Sequence, residues 1–99
     1  GIRGLTPRVV QLLVEIADSS LAYDIGRKAA QYARLGLPDY WVIDARSLAT
    51  RIHRGPAGDT FATVTEHGPG ELLTPLRLPM LAVRLADLGL EPATGSVPP

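Results

Sequence analysis

The residues of this sequence with the clearest chemical potential are a carboxylate, Glu15, and an ammonium group, Lys28. Glu15 is the one charged residue in the apolar run Val9–Ile16. Such a run predicts a strand in the middle of a sheet, where burying an unpaired charge costs several kcal/mol. Either a cation meets Glu15 or the segment is not such a strand, and Lys28 follows on the next predicted helix. A strand carboxylate beside a helix lysine is part of a metal-dependent phosphodiester-cleaving site.

The chemistry of such a site assigns a role to each group. Mg²⁺ prefers hard oxygen ligands, which Glu15 and the neighbouring Ile16 carbonyl would supply. Lys28 would stabilise the developing negative charge or help to orient the attacking water. Asp24, Lys28 and Tyr32 are spaced i, i+4, i+8 and form one stripe of the helix. If that stripe crosses the Glu15 side of the strand, Lys28 can approach Glu15.

A purely structural interpretation of these residues stays open at this point. An Asp24–Lys28 pair at i, i+4 is commonly a solvated surface pair that contributes roughly a few tenths of a kcal/mol. Glu15 could also lie at the wet end of the strand and accept hydrogen bonds from the following turn. Spacing alone does not separate these interpretations from the catalytic one.

The elements that must position these groups follow from pattern and from helix and strand breakers. Asp18, Ser19 and Ser20 can cap a helix, Gly36 supplies a left-handed stop, and Pro38 prevents continuation. The expected elements are a loop over 1–7, a strand over 9–16, a helix over 21–35, a strand over 39–44, shorter strands over 48–53 and 60–65 around a hairpin loop over 55–59, short extended pieces from 72, a helical turn over 85–88, and a disordered tail over 91–99.

A helix between two strands indicates a βαβ unit, and hence an α/β domain, although so short a crossover could also leave the strands antiparallel. Tyr40 and Trp41 are expected to pack, as aromatic residues in strands usually do.

Composition excludes several classes of protein. The 99 residues suit one small domain, and ten acidic residues balance ten basic ones, so no global field attracts nucleic acid. Without cysteine there is no disulfide or thiolate chemistry, which fits a cytoplasmic protein. No apolar stretch approaches the ~20 residues that span a bilayer. His53 and His67 lie far apart, so a histidine cluster is not expected.

Residues 13–44 closely resemble the Uma2 family, restriction endonuclease-like proteins of the PD-(D/E)XK nuclease superfamily. The resemblance extends over about 9–90, and its most specific segments are LVEIADSSLAYD at 13–24, GRK at 26–28, YA at 32–33 and GLPDYWVID at 36–44. It implies a mixed β-sheet flanked by helices, dependence on Mg²⁺ (with Mn²⁺ as a substitute), and hydrolysis of phosphodiester bonds in DNA.

The resemblance also implies roles for individual residues. Glu15 matches the acidic residue of the family's E-x-K strand, whose lysine would fall at Ala17. Lys28 matches the family's relocated lysine on the helix, and Asp24 and Tyr32 match further positions of the pattern. The metal ligands would be Glu15 and the Ile16 carbonyl.

One departure from the family is large. The Pro-Asp strand that supplies a second metal-binding aspartate has no counterpart, so residues 1–90 are expected to be a C-terminal part, truncated at the N-terminus. A single carboxylate would hold Mg²⁺ poorly, and cleavage would be slow or absent. The alternatives are a non-catalytic binding or dimerisation module, or a product without a function of its own. An exposed edge on the first strand would favour a homodimer.

Overall fold

The computed structural model describes residues 10–18 and 25–89. Its elements are, in chain order, β1 (Leu13–Ala17), α1 (Ile25–Arg34), β2 (Asp39–Asp44), β3 (Thr50–Ala57), β4 (Thr60–His67) and two 3₁₀ turns at Pro79–Leu81 and Leu85–Leu88. The expected loop over 1–7, Val9, the caps Ser19 and Ser20, Asp24 and the tail over 91–99 lie outside the described residues.

The four strands form one mixed sheet in the order β1-β2-β3-β4. β1 and β2 are parallel, so the predicted βαβ arrangement is confirmed over the antiparallel alternative. Glu15 lies beside Val42 in their register. β2, β3 and β4 are successively antiparallel. The described residues are thus α/β, as expected, but they contain a single α-helix where several flanking helices were expected.

The alternation of β2 divides the core into two layers. Tyr40 and Val42 face α1 and pack with Ala17 and Leu37, with Ala29 and other partly buried residues around them. On the opposite face a second cluster is covered by the chain after β4; its buried members are Trp41, Ile43, Leu48, Ile52, Leu73 and Leu85. The predicted helical turn over 85–88 is confirmed, and Leu85 belongs to this cluster.

The central strand is not the one that the apolar run predicts. β2 is buried along almost its whole length, whereas β1 is at the edge of the four described strands. Val14 and Ile16 are 42% and 67% exposed on the side away from α1. The prediction of a central position for Val9–Ile16 is therefore wrong for the described sheet, and the strand begins later and ends one residue later than predicted.

The β3–β4 hairpin is longer than predicted. Gly55, Pro56 and Ala57, expected in the loop, belong to β3, and the turn consists of Gly58 and Asp59. Gly55 is accommodated in the strand with a φ of 69°, a left-handed conformation that glycine adopts without a steric penalty. The third strand was also expected to start too early, because Leu48 precedes β3, which begins at Thr50.

Asp39 ties the sheet to the chain that follows β4. Its carboxylate is 0% exposed. It accepts hydrogen bonds from Arg54 Nε (2.9 Å), Trp41 Nε1 (2.7 Å) and the Leu76 backbone N–H (2.8 Å). Arg54 also donates to the Thr74 carbonyl at 2.6 Å. None of the helices in the described residues is long and apolar enough to cross a membrane.

Candidate active site

Glu15 is held by two donors on the α1 side of the sheet. Its Oε1 lies 2.9 Å from Lys28 Nζ, and its Oε2 accepts a hydrogen bond of 2.8 Å from Tyr40 Oη. The Glu15 side chain is 25% exposed and that of Lys28 is 41% exposed. The predicted approach of Lys28 to Glu15 is confirmed, and the carboxylate on the apolar strand has its cationic partner.

Local rules of strand and helix explain this meeting. Alternation along β1 places Leu13, Glu15 and Ala17 on the face that α1 covers. Ala29 packs against the core on that face, and Lys28, the preceding residue, extends from the side of this contact toward the β1 edge. Tyr40 lies beside Leu13 in the β1–β2 register, so its ring must run along the sheet surface to bring the hydroxyl to Glu15.

Tyr40 is the site residue that the sequence did not predict. It is 1% exposed, and its ring lies 4.8 Å from that of Tyr32 and 4.9 Å from that of His53. Burial raises the pKa of the Tyr40 phenol well above its ordinary value, and the hydrogen bond to Glu15 adds to the shift. Tyr40 therefore remains a neutral donor. A buried tyrosine hydroxyl usually has a hydrogen-bond partner, and this rule could have indicated from the sequence that Tyr40 contacts a polar group.

The other predicted site residues are placed differently. Tyr32 packs edge-to-face on the ring of Tyr40 and so supports the site through a neighbour. The Ala17 carbonyl accepts the Ala45 N–H at 2.8 Å across the β1–β2 pair. Because successive carbonyls of a strand point in opposite directions within the sheet, the Ile16 carbonyl points away from β2. Asp24 belongs to the part of the chain that is not described.

The oxygen atoms present fit part of a Mg²⁺ coordination shell. A carboxylate oxygen has about two acceptor positions, so each oxygen of Glu15 retains one beside its present donor. The Ile16 carbonyl is the second hard oxygen. No group of three or more His, Cys, Asp or Glu that could hold a metal exists within residues 10–18 and 25–89. The described residues thus offer two oxygen ligands of the kind that Mg²⁺ takes, and they do not form a complete metal site by themselves.

A second polar group lies where β1 and β2 end. Asp18 Oδ1 is 3.0 Å from Arg46 Nε, and Asp44 Oδ1 accepts the Arg46 backbone N–H at 2.8 Å. Since these strands are parallel, their carboxyl ends lie at the same edge of the sheet. The Asp18 carboxylate is engaged by Arg46 there.

The two histidines lie in separate environments. His53 is 5% exposed, its Nδ1 is 3.0 Å from the Tyr40 carbonyl, and burial lowers its pKa. His67 Nδ1 lies 3.1 Å from Glu71 Oε1. The Gly68 N–H lowers the pKa of Glu71, and His67 adds to that shift. Neither histidine contacts Glu15 or Lys28 in the described structure.

Comparison with known protein families finds a match over most of the chain. The family model Uma2, described as a putative restriction endonuclease, matches residues 2–86. No curated protein matches the chain, and no solved structure does.

Proposed function

The chain belongs to the Uma2 family, and from this premise we propose that it is a DNA endonuclease of the PD-(D/E)XK type that hydrolyses phosphodiester bonds. The observation that supports this proposal most directly is the contact of 2.9 Å between Glu15 and Lys28. Family membership implies a nuclease, and this pair supplies a carboxylate that could hold a metal ion beside a cation that could meet a phosphate oxygen.

Each residue of the pair has a task that its position allows. Lys28 brings a positive charge to the carboxylate and is exposed enough to reach a phosphate oxygen, where it would stabilise the charge of the transition state. Tyr40 keeps the carboxylate in one orientation. Mg²⁺, bound with Glu15 and the Ile16 carbonyl as ligands, would supply Lewis-acid activation of the phosphate or of the attacking water.

Weak activity follows from the same geometry. Mg²⁺ commonly takes one or two carboxylates, waters and substrate phosphates as ligands, and Glu15 is the one carboxylate at this position among the described residues. The net charge of zero adds little attraction for DNA. We therefore expect cleavage that is slow, requires Mg²⁺ or Mn²⁺, and falls with added salt.

The test is nicking of supercoiled plasmid DNA by the full chain. Glu15→Gln removes the charge of the carboxylate at constant shape, and Lys28→Ala removes the ammonium. Arg34→Ala is the matched control, because it removes one positive charge from the exposed end of the same helix. We expect the control to nick at the wild-type rate and the two site variants at least tenfold more slowly.

Two results would contradict the proposal. Wild-type nicking equal to that of Glu15→Gln would mean that the carboxylate takes no part. Nicking that persists in EDTA would remove the metal from the mechanism. Robust nicking abolished by both site variants would support the function while showing that Asp18, Asp24 or a partner chain completes the ligand set.

Self-association and location complete the proposal. We propose a homodimer through the β1 edge. At this edge the backbone polar groups of Val14 and Ile16 face away from β2, and the apolar side chains of the same two residues are exposed.

We also propose a cytoplasmic location, which the cysteine-free composition fits.

A further inference from the structure

The two oxygens of Glu15 are held by partners of opposite character. Tyr40 is 1% exposed and packed between the rings of Tyr32 and His53, so its hydroxyl cannot leave without disturbing the core. The Lys28 side chain is 41% exposed and has a flexible four-carbon stem, so its ammonium can move into water. One partner is permanent by packing, and the other is exchangeable.

We propose that Tyr40 is a positioning residue that fixes Glu15 through Oε2, and that Lys28 is the exchangeable occupant of Oε1. Binding of a divalent cation at Glu15 would then require the Lys28 ammonium to leave Oε1, while the Tyr40 hydrogen bond to Oε2 would remain. This inference deepens the proposed function, on which it rests for the presence of a metal.

Charge explains why one partner exchanges and the other does not. The Lys28 ammonium lies 2.9 Å from Oε1, and a second cation at the same oxygen would repel it strongly. The Tyr40 phenol is a neutral donor, so a cation at Glu15 would not repel it as it would repel an ammonium. In metal sites generally, a neighbouring donor of this kind orients the ligand. Removing the donor typically weakens metal binding by ~10–100-fold.

The exchange has a consequence for the site. Once displaced, the ammonium remains tethered to α1 beside the metal position and is available to a phosphate oxygen. Cation binding would thus release the group that meets the substrate. Without a metal cation, the same ammonium neutralises Glu15. This explains how an apolar strand tolerates a carboxylate whose side chain is only 25% exposed.

A single resonance can report the displacement. Lys28 is the only lysine in the sequence, so a sample labelled with [¹⁵N]lysine shows one side-chain ammonium signal. Titration of the full chain with Mg²⁺ should shift this signal in the wild type. Glu15→Gln, which lacks the competing charge, should show no saturable shift.

Mg²⁺ affinity measured by calorimetry, without DNA, separates the two roles. Lys28→Met should bind Mg²⁺ at least fivefold more tightly than the wild type, and by more than Arg34→Met, which removes the same charge from the same helix. Tyr40→Phe keeps the ring and removes only the hydroxyl, so it should bind roughly tenfold more weakly. Thermal unfolding of each variant checks that the fold is retained.

The outcomes distinguish this inference from the proposed function. An unmoved lysine signal on saturation with Mg²⁺, or equal affinities for Lys28→Met and Arg34→Met, would overturn the exchange. Unchanged or tighter binding by Tyr40→Phe would overturn the positioning role. Absence of any saturable Mg²⁺ binding by the wild type and Lys28→Met would overturn both. A chain that shows the exchange but never nicks DNA would uphold the inference and contradict the endonuclease proposal.

Discussion

At the scale of single residues, Glu15 and Asp39 show two ways of placing a carboxylate in a small domain. Glu15 and Lys28 are both partly exposed, and such pairs contribute only ~0–1 kcal/mol to stability. Asp39 is fully covered and is held by Arg54, Trp41 and the backbone. The first carboxylate is placed where chemistry can use it, and the second where the structure depends on it.

The Asp39 network gives a stability prediction. Asp39→Ala leaves the Arg54 guanidinium, the Trp41 indole N–H and the Leu76 N–H without their acceptor, and breaking a buried pair costs ~3–5 kcal/mol. We expect urea unfolding to show a loss of this size. Arg51→Ala, which breaks an exposed pair with Glu66, is the control and should lose ~1 kcal/mol at most. Equal losses would mean that Asp39 does not anchor the structure.

His53 gives a prediction for pH. Burial lowers its pKa in the folded protein below the ordinary 6.5, so the unfolded chain binds more protons in this range and stability rises with pH. The stabilisation from keeping His53 neutral is complete above pH 6.5 and declines as the pH falls through that value toward the folded pKa.

The measurement is the free energy of unfolding in urea at several pH values from about 5 to 7, above the range of ordinary carboxyl groups. His53→Gln should flatten the rise of stability with pH that the wild type shows as the pH increases toward 6.5. An equally steep slope in this variant would assign the pH dependence to other groups.

At the scale of elements, α1 depends on its packing. The 10 residues of the helix that the structure describes are fewer than the ~12–15 that an isolated helix needs in water. Packing of Ala29, Tyr32 and Ala33 on the sheet must therefore hold it. Lys28 is positioned by that packing, so changes beneath the helix should affect the site at a distance from Glu15.

The β3–β4 hairpin gives a matched pair of glycine substitutions. Gly55 and Gly58 have φ values of 69° and 63°, so an alanine at either position carries a left-handed penalty of roughly 1–2 kcal/mol. At Gly55 a new Cβ would also lie 3.0 Å from the Cβ of Ala62, whereas no heavy atom of the described chain lies within 4 Å of one at Gly58.

Gly55→Ala should therefore lower the thermal midpoint more than Gly58→Ala does, by several degrees in a domain of this size. Scanning calorimetry of both variants makes the comparison. Equal midpoints would show that β3 and β4 move apart at position 55 and relieve the contact with Ala62 at no cost in stability.

At the scale of the whole molecule, the sheet has unequal edges. β4 carries polar and charged side chains such as Thr63, Thr65 and Glu66, which protect an edge from pairing. β1 presents Val14 and Ile16, both more than one-third exposed. The asymmetry favours pairing of two copies through β1 about a two-fold axis.

Light scattering coupled to size-exclusion chromatography tests this association. We expect the apparent mass to rise with protein concentration toward that of a dimer. Ile16→Lys places a charge on the pairing edge and should restore the monomer mass, while Val64→Lys on β4 should leave the dimer unchanged. A wild-type monomer at high concentration would show that β1 does not pair between copies.

The features that could be predicted from the sequence are those that local rules govern. The bounds of β2, the end of α1 before Gly36 and the turn over 85–88 follow from residue type and periodicity. Strand alternation and helical spacing also predicted that Glu15 and Lys28 could meet, but which face of β1 the helix covers was decided by the fold.

Tertiary structure alone decided the rest. Tyr40 reaches Glu15 because of the β1–β2 register. Asp39 meets Arg54 because the two are opposite each other in the β2–β3 register, and it meets Leu76 because the chain after β4 returns to the sheet. The edge position of β1 depends on which strands pair. Register, strand order and long-range closure arise from the summed packing of distant segments, which no local pattern encodes.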